Sequence, residues 1–346
     1  MKKIQFIVVL RVVATIFVLV NHVTVSTIHL FGKAASQWEQ FTCHGINHFA
    51  RFAVPCFLMI TGYLLLDSNR KIDYHKAFKY AWRMVVILLT VGTLFAMMEL
   101  YFEERKFDPL LPIQSVWNVL QGKTWKHMWY LYTLIGLYLI IPVFKPVFEK
   151  LNTKTIDIFL IICFIFVSVI PTLQKYVVFE FGIKYPMSSC FLFYLLLGGR
   201  LLLTTNSPLD KLPNSQTDKD KSVRLWLTIA FIMGLVQFGI AYIEYVIGYS
   251  EAEYLKDYYS PFMAFYSFAV FVWIMRLNPK FKMETLGGGI IKQIFTGFFW
   301  NIRFPHVVDQ CHIQGSQIQS DRVWFVDASS RAYNGDFVFM GYNYSI

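Results

Sequence analysis

From its first residues the chain is divided into apolar blocks of roughly 17–25 residues, the length that crosses a hydrocarbon core. Eight blocks are legible, over about residues 4–22, 45–66, 80–101, 128–148, 156–173, 187–203, 225–247 and 261–277. Neither the alternation of a half-buried strand nor the 3.6-residue period of a soluble helix organises them. In lipid, backbone polar groups must be satisfied within the segment, and a helix does this. The sequence therefore predicts an all-α, polytopic transmembrane helix bundle with eight spans as written. At 56% hydrophobic and 16% charged over 346 residues, the chain is too apolar for a soluble domain of this length.

The formal net charge of +10 raises nucleic acid as a partner, but the cations sit in loops between the blocks. Lys2 and Lys3, then Arg70, Lys71, Lys76 and Lys79, fall on one face with Lys145, Lys150 and Lys154. Lys211, Lys219, Lys221, Arg224, Lys280 and Lys282 join them. Positive-inside topology accounts for this bias, so that face and the N-terminus are expected in the cytoplasm. The bilayer is the expected partner and nucleic acid is not. The opposite loops carry more acid (Glu103, Glu104, Asp108; Glu251, Glu253, Asp257), although 102–127 also holds Arg105, Lys106, Lys123 and Lys126.

The opening "MKKIQFIVVL" resembles a signal peptide, but no small-residue cleavage site follows and Arg11 interrupts the apolar run, so a retained helix is expected. Five cysteines form no CxxC or ligand spacing, so neither a disulfide framework nor a metal is expected. Residues 206–222 read as a turn-rich linker, not a site. Residues 107–121 read as a short amphipathic helix at the outer interface.

After about residue 283 the composition changes and no spanning block remains. Permitted codons for "FFWNIRFPHVVDQ", read one base later, give "FFGIYVFHMLWI". The same shift turns "SSRAYNGDFVFMGYNYS" into a run like "LGLITGILSLWVIT". Two apolar blocks from one shift point to a slipped reading frame. The expected organisation is a transmembrane domain over 1–282 and an out-of-frame tail over 283–346, with ten spans in an intact relative.

A charged group within a span costs roughly 2.5–3.5 kcal/mol on insertion scales and usually faces a protein interior or wet cavity. In "RVVATIFVLVNH", Arg11 lies a third of the way into the first span and His22 at its outer end. Eleven residues make nearly whole helical turns, so both project from one face, roughly 16 Å apart. A histidine can take a proton from a sugar hydroxyl near neutral pH. An arginine can hold a phosphate or a developing negative charge. The plainer readings are an interfacial histidine and a snorkelling arginine.

Arg51, near the outer end of the second span, reads equally as an interfacial anchor. Pro55 should bend that helix, and Thr61-Gly62 should let another approach closely. Arg83 reads as an ordinary positive-inside residue. Trp125, Trp129, Tyr130 and Tyr132 read as an aromatic belt, and His127 as either a cavity group or an interfacial histidine.

Together, "RVVATIFVLVNH", "RFAVPCFLMITGYLL", Arg83 and above all "HMWYLYTLIGLYLIIPVF" resemble the integral membrane acyltransferase family 3, over about residues 4–277. The resemblance implies a ten-helix bundle in the bacterial plasma membrane that moves acyl groups, often acetyl, onto surface carbohydrates. It implies acyl-CoA, chiefly acetyl-CoA, as a cytoplasmic donor. The acceptor would be a surface polysaccharide or lipid-linked saccharide. By that resemblance His22 is catalytic and Arg11 positions the donor or stabilises charge, while Arg51, Arg83, His127 and Trp129 line the substrate site. Thr61 stands where the family commonly has serine, and the family's "FGIYLIH"-like helix exists only in the shifted frame. The spans and polar cavity suit a polysaccharide transporter or flippase as well, or a non-catalytic assembly component. The sequence fixes neither the acceptor nor the oligomeric state.

Overall fold

The computed structural model describes residues 2–31, 35–104, 109–123, 128–176, 181–183, 185, 187, 189–206, 216–247 and 255–277. His127, the expected boundary at 282 and the tail lie outside these residues. Among those described there is no strand. The helices are α1 (Lys2–Phe31), α2 (Gln37–Ala50), α3 (Ala53–Leu65), α4 (Tyr74–Ile87), α5 (Thr93–Glu104) and α6 (Leu111–Leu120). Then come α7 (Trp129–Lys150), α8 (Thr153–Phe164), α9 (Ile170–Tyr176), α10 (Cys190–Asn206), α11 (Gln216–Ile247) and α12 (Pro261–Leu277). Short π-helical segments, Leu88–Gly92 and Ile165–Val169, join α4 to α5 and α8 to α9.

All eight expected spans are helical. Six are long and apolar enough to cross a membrane; the helices at the other two positions, Cys190–Thr204 and Pro261–Leu277, are apolar but shorter. The chain is a multi-pass, all-α membrane protein. Several ends differ from the sequence reading. The first helix continues past His22 to Phe31, so His22 lies inside it rather than at its end. Thr24 and Thr27 would read as a stop, but their hydroxyls donate back to the carbonyls of Val20, Asn21 and Val23, which leaves the helix intact.

The second span begins earlier than expected, because Ser36 and Glu39 close a capping box. It is also interrupted. Pro55 has no N–H to reach the Arg51 carbonyl, and the chain turns at Arg51 and Phe52 between α2 and α3. Arg51 therefore sits at a break between α2 and α3. The third span starts at Tyr74, where the Asp73 carboxylate accepts the Lys76 amide; that bond holds Asp73 below the usual carboxylate range. The last residues of the presumed linker belong to α11, which begins at Gln216.

α3 runs through the centre and packs most extensively on α10. A Cβ on Gly62 would strike the Leu195 carbonyl, and one on Gly198 the Met59 carbonyl. The two backbones touch because both faces are glycine, the close approach expected at Gly62. α1 packs on α2, α3 and α12; α11 packs on α2 and α12; α4 packs on α7. Two polar ties lock the basic ends. Arg200 grips Asp157 of α8 through two bonds of 2.6 and 2.9 Å. Lys145 of α7 donates to the Leu65 and Asp67 carbonyls that end α3. Ile158, Ile161, Phe231, Leu235 and Phe265 remain exposed, as lipid-facing residues do. α6 is the expected short amphipathic helix: Leu111, Ser115 and Val119 are buried, while Ile113, Trp117 and Leu120 are exposed.

Candidate functional site

Arg11 leaves α1 between the fully buried Leu10 and Ala14 turns and is itself half-buried. Its charge interacts with Tyr138 and Tyr130 of α7 and with Arg70, in the loop beyond α3. The Tyr138 ring lies 5.9 Å from that of Tyr80 on α4, and the Arg83 guanidinium lies 6.0 Å from the Tyr80 ring centroid. Three helices thus bring Arg11 and Arg83 into one chain of cations and tyrosines. Arg83 is exposed and leans on its own helix, consistent with a solvated basic residue. Because α1 is continuous, the shared face of Arg11 and His22 persists, and at Arg11 that face is turned to α7.

His22 is half-buried. The wall beside it is fixed from α2: the buried Asn47 amide donates to the Asn21 carbonyl and side chain (both 3.3 Å) and to Thr24 Oγ1 (3.2 Å). One turn further along, Arg51 Nη1 donates to the Lys256 carbonyl at 3.0 Å, and the guanidinium lies 5.8 Å from the Tyr258 ring centroid. Tyr258 lies outside the spanning helices; burial pushes its phenol up to about 12, so the ring stays neutral. Trp129 packs on Tyr258 and on Phe191, with centroids at 5.8 and 5.3 Å. The Trp129 ring is turned onto other aromatics, and Tyr258 links it to Arg51.

The sequence reading missed a polar cluster beside Arg51. Glu244 of α11 is fully buried. Its Oε1 lies 2.5 Å from Lys256 Nζ and its Oε2 2.5 Å from Nε2 of the fully buried His48. A signal existed, since an acid inside the seventh apolar block is as expensive as the arginine that was noticed in the first. Its partners were not legible, because they lie on α2 and on the segment before α12. Ligand atoms of His44, His48 and Glu244 fall within 4.8 Å of one another. Lys256 and His48 already occupy the carboxylate, and Arg51 adds positive charge, which makes the set a poor match for a dication.

Searches of curated proteins and of solved structures find no match. A family model does: the acyltransferase domain of acyltransferase family 3 matches residues 4–294. That range takes in α1 to α12 and therefore both arginine clusters, and it favours acyl transfer over the transporter reading. The chain belongs to the integral membrane acyltransferase family 3.

Proposed function

We propose that the protein is an O-acyltransferase of the bacterial plasma membrane, with its N-terminus in the cytoplasm. It moves an acyl group, acetyl in the commonest case, from cytoplasmic acyl-CoA to a hydroxyl of a surface polysaccharide or its lipid-linked precursor. The observation that carries this reading is the single face of α1 holding Arg11 and His22, turned to the tyrosines of α7 within a family-matched bundle.

In this scheme Arg11, with Arg70 and Arg83, holds the donor's phosphates at the basic end. The roughly 16 Å from Arg11 to His22 is spanned by the donor's long thiol arm. His22 takes the proton of the acceptor hydroxyl as its oxygen attacks the thioester carbonyl carbon. The C–S bond then breaks, and the departing thiolate recovers the proton from the imidazolium. Arg51, Trp129 and His127 line the acceptor side. The reaction needs no metal.

The reading includes a slipped frame in the tail, residues 283–346, so that an intact relative would carry two further spans. Sequencing the gene from about codon 275 past the stop should reveal the "FGIYVFH" helix and a final apolar span in the shifted frame. A single open frame would remove this part of the reading. Acyl transfer itself is tested with the frame-restored gene. His22→Ala should abolish acylation of the carbohydrate at unchanged expression, and retained acylation would overturn the assignment.

A further inference from the structure

Arg51 is only partly engaged by its neighbours. The Glu244 carboxylate meets Lys256 and His48, and Asp257 accepts the Tyr258 amide. No carboxylate among the described residues lies within 4.0 Å of the Arg51 guanidinium. Arg51 differs in this from Arg200, whose two bonds to Asp157 balance its charge. Its Nη1 is tied to the Lys256 carbonyl and its face lies near the Tyr258 ring. Nε is buried, and neither Nε nor Nη2 has a hydrogen-bond partner among the described residues. Those two nitrogens form the edge of a guanidinium that takes a carboxylate or phosphate through two parallel bonds. An unbalanced, half-buried cation is costly, and a ligand anion removes that cost.

The geometry points to Arg51 as the anchor for an anionic group on the acceptor, a carboxylate or phosphate carried by a saccharide. The Tyr258, Trp129 and Phe191 rings beside it supply apolar faces for the sugar. Lys256 and Glu244 are positioning residues, because the backbone carbonyl that fixes Arg51 belongs to the lysine held by that acid. This inference rests on the acceptor side of the proposed function, but binding is measured without a donor, so the two fail separately.

The test is isothermal titration of the purified full chain in detergent with glucuronic acid, glucose 1-phosphate and glucose. At least one anionic probe should bind roughly tenfold more tightly than glucose, the value of one charge-assisted bond. Preference for glucuronic acid alone assigns a carboxylate, and preference for glucose 1-phosphate alone assigns a phosphate. Arg51→Gln should erase the preference, and Arg51→Lys should keep only part of it, since an ammonium lacks the paired edge. Equal binding of all three probes overturns the proposal, as does a preference that survives in a folded Arg51→Gln protein. If the glutamine variant does not fold, an undiminished preference in Arg51→Lys overturns the paired-edge assignment.

Discussion

The two arginine neighbourhoods are built on different principles. At the basic end, Arg11, Arg70 and Arg83 are gathered around Tyr80, Tyr130 and Tyr138, and the phenol rings stand between the cations. At the break in the second span, Lys256 and His48 hold a buried acid, and Arg51 donates to the backbone carbonyl of that lysine. The first cluster gathers positive charge and suits a polyanionic ligand. The second uses an ion network to fix backbone and leaves one guanidinium edge open. An intramembrane cation can thus serve as binding charge or as part of a fixed frame, and its partners decide which.

The largest expected effect falls on the second neighbourhood. Glu244→Ala leaves Lys256 without its counter-ion and His48 without its carboxylate partner, and should destabilise the protein by about 3–5 kcal/mol, read as the midpoint of thermal unfolding in detergent. An unchanged midpoint would mean that the network holds nothing together. Combining Glu244→Ala with Lys256→Ala should be less than additive, with a coupling of about 0.5–3 kcal/mol in a double-mutant cycle. No such coupling is expected between Arg11→Gln and Glu244→Ala, which belong to different clusters.

The contrast sharpens when function is read instead of stability. Arg11→Gln should raise the apparent KM for acyl-CoA roughly tenfold in a frame-restored enzyme. An unaltered KM would remove Arg11 from the donor site. Arg83→Gln, at an exposed position, should shift stability by no more than about 0.5 kcal/mol. The smallest effect belongs to the Asp73 cap. Its carboxylate is held below its usual value, so its contribution is present above the unfolded pKa and lost as pH falls through the folded one. Asp73→Asn should therefore lower stability slightly at neutral pH, leave it unchanged at the acid extreme and so flatten the acid limb of a thermal-stability profile.

Much of the fold was legible because apolar length is a local property. The six long apolar helices, the α6 segment, the Gly62 approach and the Arg11–His22 face each follow from residues close in sequence. Ends were read less well. Two threonines that donate into their own helix look like a stop, and a capping box at Ser36 begins a span among polar residues. Arg51 was noticed, but its place at a helix break depended on Pro55 lacking a donor, together with packing that a bend alone does not specify.

Apolar span length alone makes this chain a multi-pass helical membrane protein. The sequence also determined which family the chain belongs to and which face of α1 carries the two polar groups, since helix period and span length are set within each segment. Only the tertiary structure decided what each charge meets. Glu244 finds His48 and Lys256, and Arg51 finds the Lys256 carbonyl, across gaps of up to 205 residues. Such pairings arise when helices dock and the alternative is an unsatisfied charge in a low-dielectric interior, and no local pattern records them.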